Sequence, residues 1–408
     1  MAVVGGGAAG LACAVAAGRL GLSVTVLERT DRCGNKLTVT GGGKGNFTHA
    51  ESPRMMAGRF DCDVRLIMPL LRKFPYQRIV QFFSSLGIEA RTDDDGCVWP
   101  KGIDAAGIRD ALLREMAARG GMLRAGCRVI GLEPGWKIRM ADGSVVAATS
   151  VCLATGGASY PRTGSTGDGL ALCRDLGLKT VGWFPALASL RTRDDLSELA
   201  GVTQPKVDMT LLVSGDEPRT ATGHFIFAHA HVSGSSVLNL CGHAARALAE
   251  HRQVVLQVNW VPGRSAPELA AEFATGRTEH PKKQLGTSLG VFVARRLATR
   301  LCAMAGVPAD RILTDLSRAE QESIIRQLRL TEFTITGTEP MDRATVTGGG
   351  VSLDEVDLKT MAARRLPGLY FAGEVLDLWA ETGGYNLHFA WATGITVAES
   401  VAASRKGA

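Results

Sequence analysis

The sequence predicts an α/β protein into which a β-rich segment and a small helical segment are inserted. Three observations predict this fold class. An apolar strand, a glycine turn and an apolar helix follow one another within residues 1–20. Strand-like alternation then dominates residues 180–262, and helical periodicity dominates residues 267–327. Glycine-rich strand and helix patterns return from Gly348 onward.

The composition is that of a folded protein with two or three domains. The chain has 408 residues, of which 45% are hydrophobic and 21% are charged. Its net charge of +6 is scattered rather than gathered into basic runs, which suits an anionic cofactor better than nucleic acid. No apolar run approaches the length of a membrane span. The nine cysteines form no Cys-x-x-Cys pair, so we expect reduced thiols, a cytoplasmic protein and no metal site.

The glycine turn at residues 5–10 has the spacing of a dinucleotide-binding fingerprint. Gly5 permits a tight turn, Gly7 lets a pyrophosphate approach the backbone, and Gly10 lets the helix pack closely on the strand. The next strand ends at Glu28, whose carboxylate is placed to accept hydrogen bonds from ribose hydroxyls. The fingerprint alone fits NAD and FAD equally well.

Further elements follow this turn. A second glycine loop at residues 40–48 falls within reach of the same crevice, and a glycine loop at residues 164–169 opens a helix. The predicted helices are residues 64–87, 105–120, 290–305, 318–328 and 387–400. The predicted strands are residues 129–132, 137–140, 145–148, 151–157, 207–213, 222–230, 254–261, 333–336, 344–347 and 366–374.

The carboxyl-terminal pattern closes the same crevice. The predicted strand at residues 366–374 ends in Glu374, where parallel sheets present side chains to a ligand. A helix then starts after residues 382–386. Its amino terminus offers N–H groups to an electron-rich group, such as a flavin edge that becomes anionic on reduction.

Six blocks of the sequence resemble the BaiN/RdsA family of bacterial NAD(P)/FAD-dependent oxidoreductases. The blocks are residues 5–10, 40–48, 153–169, 227–238, 345–352 and 368–386, and their order spans essentially the whole chain. The resemblance implies a Rossmann-like FAD-binding domain made from both chain ends, with a β-barrel-like insert and a small helical insert. The implied boundaries are residues 1–186 and 345–408 for the first, 187–263 and 331–344 for the second, and 264–330 for the third.

The chain also departs from the family pattern. Lys44 and Gly45 stand where Arg and Cys are usual, so a catalytic thiol at that position is absent. His49 replaces a common Asn, and His231 stands where Gly is usual. We therefore expect a difference in the shape or identity of the substrate.

The predicted cofactor-binding residues come from the fingerprint, from the resembling blocks and from four further positions, Arg29, Lys36, Arg128 and Val129. They are Gly5, Gly7, Ala8, Ala9, Gly10, Glu28, Arg29, Lys36, Gly42, Gly43, Asn46, Thr48, Arg128, Val129, Ala154, Thr155, Gly156, Gly157, Gly373, Glu374, Gly383, Gly384, Tyr385 and Asn386.

Tyr160 and His229 are the candidate catalytic residues. Tyr160 follows the Ala-Thr-Gly turn, where it either stacks on the flavin, protonates a substrate or covers apolar surface. His229 and His231 are two residues apart on a predicted strand and so point to one face. Proton donation, substrate contact, metal ligation and a plain core or surface position all remain open for them.

The resemblance implies reduction of a C=C bond in an enone-like small molecule, with steroid-type acids as one represented class. No second fingerprint follows the first, so NAD(P)H would dock transiently and pass hydride through flavin N5, while Tyr160 or His229 supplies the proton. A flavin-dependent RNA-modifying enzyme, which needs a concentrated basic face, and a non-catalytic flavin-binding protein are the alternatives. The sequence makes no prediction of the oligomeric state.

Overall fold

The computed structural model describes residues 1–229 and 231–406. The strands are β1 (Ala2–Val4), β2 (Thr25–Leu27), β3 (Thr48–His49), β4 (Ala90–Thr92), β5 (Cys97–Pro100), β6 (Met122–Arg124), β7 (Val129–Glu133), β8 (Lys137–Met140), β9 (Val145–Ala147), β10 (Val151–Leu153), β11 (Thr180–Pro185), β12 (Leu190–Thr192), β13 (Thr203–Val213), β14 (Arg219–Phe227), β15 (Val232–Ser233), β16 (Val254–Asn259), β17 (Thr331–Thr338), β18 (Thr347–Val351), β19 (Val356–Asp357), β20 (Ala362–Ala363) and β21 (Leu369–Phe371).

The helices complete the element order. They are α1 (Ala8–Arg19), α2 (Asn35–Thr38), α3 (Pro53–Ala57), α4 (Val64–Lys73), α5 (Tyr76–Ser84), α6 (Ala105–Ala118), α7 (Asp168–Asp175), α8 (Ser235–Ala249), α9 (Ala266–Glu279), α10 (Leu285–Leu289), α11 (Arg295–Met304), α12 (Arg318–Arg329) and α13 (Tyr385–Lys406). In the part of the chain that is described, no helix is both long and apolar enough to cross a membrane.

The chain folds into two compact units, one formed by residues 1–184 with the segment from Met341 onward, the other by residues 185–340. The first unit is built on a seven-stranded sheet in the order β19-β20-β21-β10-β1-β2-β6. Its five central and edge strands from β21 to β6 are parallel, and Val3 of β1 lies opposite Val26 and Cys152. The strands β1, β10 and β21 are continuous apolar runs in the sequence, because helices cover both faces of a parallel sheet and bury the side chains on each face.

Small residues let the first and last helices of this unit approach closely. A Cβ at Gly394 of α13 would lie 2.3 Å from the carbonyl oxygen of Ala9 in α1. Trp391 of α13 is fully buried and donates its indole N–H to the carbonyl of Phe47 at 3.0 Å. The carboxyl-terminal helix is therefore part of the core that supports the glycine turn.

The second unit contains a closed six-stranded barrel in the order β12-β15-β14-β13-β16-β17, with β17 pairing back to β12. Alternate residues of β16 are buried, as expected for a strand with one face toward a core. An aromatic cluster of Phe225, Phe227, Trp260 and Phe333 fills it. The helices α9 to α12 belong to the same unit, and a separate helical domain stays a prediction. The predicted α/β fold with an inserted barrel is confirmed.

Several predicted elements differ from the structure in their bounds, and four of them are described here. The helix expected over residues 64–87 is broken into α4 and α5 at Pro75, because a proline disfavours helical backbone in the residue before it, and Phe74 has φ −122° and ψ 69°. The helix expected from residue 290 begins at Arg295. The strand expected over residues 344–347 begins only at Thr347. The strand expected to reach residue 230 ends at Phe227, and Ala230 lies outside the described residues.

Candidate cofactor site

A cavity of about 1320 Å³, counting its open mouth, lies at the carboxyl ends of the parallel strands. The residues that end or follow β1, β2, β10 and β21 line it: Val4, Leu27, Ala154 and Ala372. Every lining residue belongs to the first unit. This is the edge at which open parallel sheets bind their ligands.

Most of the predicted cofactor-binding residues line this cavity. They are Gly5, Gly7, Ala8, Ala9, Glu28, Arg29, Lys36, Arg128, Val129, Ala154, Thr155, Gly156, Gly373, Glu374 and Asn386. The structure therefore brings together residues that are separated by more than 300 positions in the sequence.

The fingerprint turn has the close-packed geometry that a dinucleotide cradle requires. Gly5 has φ +104°, and a Cβ there would lie 2.4 Å from the carbonyl oxygen of Ala154. A Cβ at Gly10 would lie 2.0 Å from the carbonyl oxygen of Gly5, so helix and turn touch. Gly7 instead faces open space, with no atom of the described residues within 4 Å of the position of a Cβ. No side chain caps α1, so its amino terminus is available to an anionic group in the cavity.

Glu28 is held in a fixed orientation beside this turn. Its Oε2 accepts a hydrogen bond from the Gly6 N–H at 2.8 Å, and its Oε1 accepts from both the N–H and the hydroxyl of Thr30 at 2.8 Å. The residue is 8% exposed. Each carboxylate oxygen has two lone pairs, so Oε2 keeps acceptor capacity for a ribose hydroxyl.

Lys36 and Glu374 form an ion pair in the cavity wall. The Lys36 ammonium donates to both carboxylate oxygens of Glu374, at 2.9 and 2.7 Å, and to the hydroxyl of Ser159 at 2.6 Å. The Thr347 N–H also donates to Glu374, at 2.7 Å. These three donations use all the ammonium protons, so Lys36 acts on a ligand through the carboxylate that it orients.

A second ion-pair cluster lies beside Glu28. Asp168, the first residue of α7, accepts from Arg29 at 3.1 Å and from Arg128 at 2.9 Å. The hydroxyl of Thr166 donates to the same carboxylate at 2.9 Å, and Arg29 also donates to Thr166. Partial burial favours a higher pKa for Asp168, but the hydrogen bonds from Arg128 and Thr166 and the charge of Arg29 outweigh it, and the pKa is lowered.

Nine predicted cofactor-binding residues do not line the cavity: Gly10, Gly42, Gly43, Asn46, Thr48, Gly157, Gly383, Gly384 and Tyr385. Thr48 is fully buried and bonded to His388 at 2.7 Å. Tyr385 is 2% exposed and stacks on His49 with ring centroids 4.8 Å apart, and burial raises its pKa. Their side chains are committed to the core, so a role for either in cofactor binding stays a prediction that rests on backbone groups.

Asn46 carries a buried acceptor that has no partner among the described residues. The residue is 8% exposed, and its Oδ1 would lie 2.5 Å from a Cβ at Gly384. Gly384 has φ +96°, so both backbone conformation and space require glycine there. An unpaired buried amide oxygen costs free energy, but Asn46 does not line the cavity, so its role in cofactor binding stays a prediction.

The two candidate catalytic residues lie on turns. Tyr160 is half-buried and has φ +52°, held by the N–H and hydroxyl of Thr163, which both donate to its carbonyl at 2.8 and 2.7 Å. It does not line the cavity. His229 is exposed and follows the end of β14, so the interpretation that it shares a strand face with His231 is wrong. His231 lies 3.9 Å from Glu339.

Cys33 lies against the fingerprint turn, with its sulfur 2.3 Å from the position of a Cβ at Gly6. Burial first, and then the nearby charge of Glu28, raise its pKa to about 12. The thiol is therefore protonated at neutral pH, which disfavours a thiolate role.

Sequence reasoning missed part of the cavity wall. The missed lining residues include Arg32, Thr40, Asp168, Thr345 and Val346. A glycine loop ahead of α7 was the available signal for Asp168. Thr345 and Val346 lie in the resembling block at residues 345–352, which was the available signal for them.

The sheet, the fingerprint turn and the cavity define a Rossmann-like FAD-binding fold of the kind found in flavoprotein oxidoreductases. The residues present fit the cofactor, since Gly7 leaves an open cradle at a helix amino terminus and Glu28 keeps a free acceptor. The chain belongs to the family described as HI0933-like protein Rossmann domain, whose model matches residues 1–400. The predicted family relationship is thereby confirmed.

Known proteins of this kind match the whole chain. The chain is 30% identical over 406 residues to 3-dehydro-bile acid delta(4,6)-reductase of Clostridium scindens, covering 98% of both chains. It is 27% identical over 418 residues to ribosomal RNA dihydrouridine synthase of Escherichia coli, covering 99% of this chain and 98% of that one. The solved structure of 3-ketosteroid delta1-dehydrogenase from Sterolibacterium denitrificans has a TM-score of 0.53 at 13% identity and 99% coverage of both chains, which shows a shared fold.

Proposed function

We propose that this protein is an FAD-dependent reductase that takes hydride from NAD(P)H and reduces a C=C bond conjugated to a carbonyl group in a small molecule. One observation carries the proposal: the cavity at the sheet edge has a dinucleotide cradle, in a chain that is similar over its whole length to a reductase named for a 3-dehydro-bile acid. When bound, FAD supplies two-electron hydride chemistry between a nicotinamide and an unsaturated substrate.

The chain's own residues would hold the two ends of this cofactor differently. The N–H groups at the amino terminus of α1 and the open space beside Gly7 would bind the pyrophosphate. Glu28 would accept a hydrogen bond from a ribose hydroxyl. Glu374, oriented by Lys36, accepts hydroxyl hydrogen bonds elsewhere in the cavity.

The amino terminus of α13 adds a favourable field. Asn386 and Leu387, in its first turn, line the cavity. The Asn386 side chain is tied back to Ala380, accepting from its N–H at 2.9 Å and donating to its carbonyl at 2.8 Å. The helix amino terminus therefore stabilises negative charge that develops at this end of the cavity.

Tyr160 is the proton donor that we propose first, and His229 is the second candidate. Tyr160 belongs to the unit that contains the cavity and keeps an unusual backbone conformation, with φ +52°. Positive φ in an aromatic residue costs free energy and concentrates at functional sites. His229 is exposed, and the two nitrogens of an imidazole ring donate and accept hydrogen bonds.

An anaerobic rapid-mixing experiment tests the proposal. Protein reconstituted with FAD is mixed with NADH or with NADPH, and flavin absorbance is followed. A 3-dehydro-4,6-diene bile acid is then supplied with the nucleotide that bleaches the flavin, and the product is identified by mass. Bleaching followed by loss of one C=C bond supports the function. Bound FAD that neither nucleotide bleaches contradicts it.

RNA modification is the second candidate, since a ribosomal RNA dihydrouridine synthase also matches 99% of this chain. Uracil likewise carries a C=C bond conjugated to a carbonyl, so the same hydride chemistry applies. The test adds unmodified ribosomal RNA transcripts with the same reductant. Dihydrouridine in the RNA, with an unchanged bile acid, would select this candidate.

We also propose that the protein acts in the cytoplasm. The nine cysteines are free, and Cys13, Cys33, Cys97, Cys152, Cys173, Cys241 and Cys302 are buried. Reduced thiols are typical of that compartment. Fractionation of the native host, with detection by antibody, tests this.

A further inference from the structure

One end of the cavity is defined by Glu28 and by the segment that pairs with it. The Cys127 N–H donates to the carbonyl of Glu28 at 2.7 Å, and the Gly126 N–H donates to the carbonyl of Thr30 at 2.9 Å. Arg128, which follows, lines the cavity. Because Glu28 is the ribose acceptor of the fingerprint, this is the end at which an adenosine would lie.

A loop covers the same end from the other side. Its lining residues are Thr163, Gly164, Ser165, Thr166 and Asp168. The position of a Cβ at Gly164 lies 3.0 Å from Thr30 Cγ2 and 3.9 Å from Glu28 Oε1, so the loop lies directly against the adenosine end. The wall here is therefore formed by two segments that are far apart in sequence.

Asp168 joins these segments through charge. Its carboxylate contacts Arg29, from the turn after β2, at 3.1 Å and Arg128, ahead of β7, at 2.9 Å. The Asp168 side chain is 25% exposed, and Arg29 is 32% exposed. Ion pairs of this exposure contribute little to folding, but these two connect Asp168 to both neighbouring segments of the wall.

We propose that Asp168 is a positioning residue that latches the loop of residues 163–168 over the adenosine end of the cavity and so sets the rate at which FAD enters and leaves. The proposal rests on FAD being the cofactor of the proposed function. Replacing Asp168 by a neutral residue removes its ion pairs with Arg29 and Arg128, so we expect both entry and release of FAD to become faster.

The test compares two carboxylates that each hold two cations. Glu399 contacts Lys73 at 2.7 Å and Arg78 at 2.6 Å, and its side chain is 30% exposed, but it does not line the cavity. FAD-loaded wild type, D168N and E399Q are diluted, and FAD release is followed by the recovery of its fluorescence. Thermal unfolding of each apoprotein is measured in parallel, and D168E serves as the charge-retaining control.

We expect D168N to release FAD about fivefold to tenfold faster than wild type, the factor that two modest ion pairs supply. E399Q should release it at the wild-type rate, although both variants lose similar thermal stability. Release from wild type should accelerate between 0.05 and 0.5 M salt as screening shortens to a few ångströms, and release from D168N should not.

Any other outcome overturns the proposal that Asp168 holds the loop of residues 163–168 over the cavity. Equal or slower release from D168N than from wild type contradicts it directly, and so does equal acceleration by E399Q. If D168N does not fold, R128Q breaks one of the two pairs at an exposed side chain, and a wild-type release rate in R128Q overturns the proposal. Wild-type protein that takes up no FAD overturns the proposed function together with the latch, so the two failures are distinguished.

Discussion

The Nδ1 atom of His388 lies 2.7 Å from the hydroxyl oxygen of Thr48, inside the fully buried core of the FAD-binding unit. The Nε2 atom of the same ring lies 2.9 Å from the carbonyl oxygen of Phe74. A carbonyl only accepts, so Nε2 carries the proton and Nδ1 accepts from Thr48. The neutral imidazole of His388 thus connects α13 to Thr48 in β3 and to Phe74, which follows α4.

This arrangement makes folding stability dependent on pH. Burial lowers the pKa of His388 from 6.5 to about 4. Between pH 4 and pH 6.5, His388 is therefore protonated in the unfolded chain and neutral in the folded chain. We expect the free energy of unfolding to fall by about 3 kcal/mol as pH drops from 6.5 to 4. Urea denaturation of wild type and H388Q at several pH values checks this. An equally steep loss in H388Q would assign the effect to other groups.

Alanine at Gly7 should weaken FAD binding, whereas alanine at Gly10 should lower folding stability. A Cβ at Gly7 meets no atom of the described residues within 4 Å, so G7A should fold normally but weaken FAD binding at least tenfold, because the methyl group occupies the cradle. A Cβ at Gly10 would lie 2.0 Å from the Gly5 carbonyl oxygen, so G10A should lose about 2 kcal/mol of stability. Calorimetric titration with FAD and thermal unfolding separate the two effects. Normal FAD affinity in G7A would remove Gly7 from the cofactor site.

Removing the charge of Lys36 alone should lower the free energy of unfolding more than removing the charges of both Lys36 and Glu374. K36M leaves the Glu374 carboxylate, which is 21% exposed, without its cation, and we expect a loss of roughly 1–3 kcal/mol after allowing for solvent screening. K36M/E374Q should recover about half of that loss. Denaturant unfolding of the two single variants and the double variant measures the coupling. Strictly additive effects would mean that the two groups act independently.

Removing the hydroxyl of Tyr160 should lower the rate of product formation and leave FAD binding unchanged. Y160F keeps the ring and the backbone, so the free energy of unfolding and the FAD affinity should change by less than about 0.5 kcal/mol. Product formation should fall by about 10²-fold or more if the phenol is the acid, while bleaching of the flavin by NAD(P)H stays normal. H229A is the matched comparison. Wild-type turnover in Y160F together with a large loss in H229A would transfer the role to His229.

The sequence predicted those parts of the fold that depend on neighbouring residues. The turn at residues 5–10, with its strand, helix and following Glu28, is one local pattern, and the structure has the same order of elements. Pro75 was an available signal for the break between α4 and α5. The closing of the barrel, in which Leu190 pairs with Thr338, joins residues whose separation carries no local pattern.

The candidate site shows the same limit. Arg29 and Asp168 are separated by 139 positions, and Lys36 and Glu374 by 338, so no periodicity relates the partners. His229 was misplaced because an apolar alternation continued past Phe227, where the structure turns the chain: the Ala228 N–H donates to the His231 carbonyl at 2.9 Å. Residues 228–231 contain no Gly, Pro, Asn or Asp that would have signalled a turn.

The parallel strand β21 pairs with β10, and α13 packs on α1, although both come from the last tenth of the chain. During synthesis, the sheet of the FAD-binding unit therefore lacks β21, and α1 lacks its contact with α13, until those segments have been made. The barrel unit has no such delay, since residues 185–340 leave the ribosome as one continuous stretch. Because residues 185–340 precede β21 and α13 in the chain, translation makes the whole interrupting unit before the strand and helix that complete the cofactor cavity.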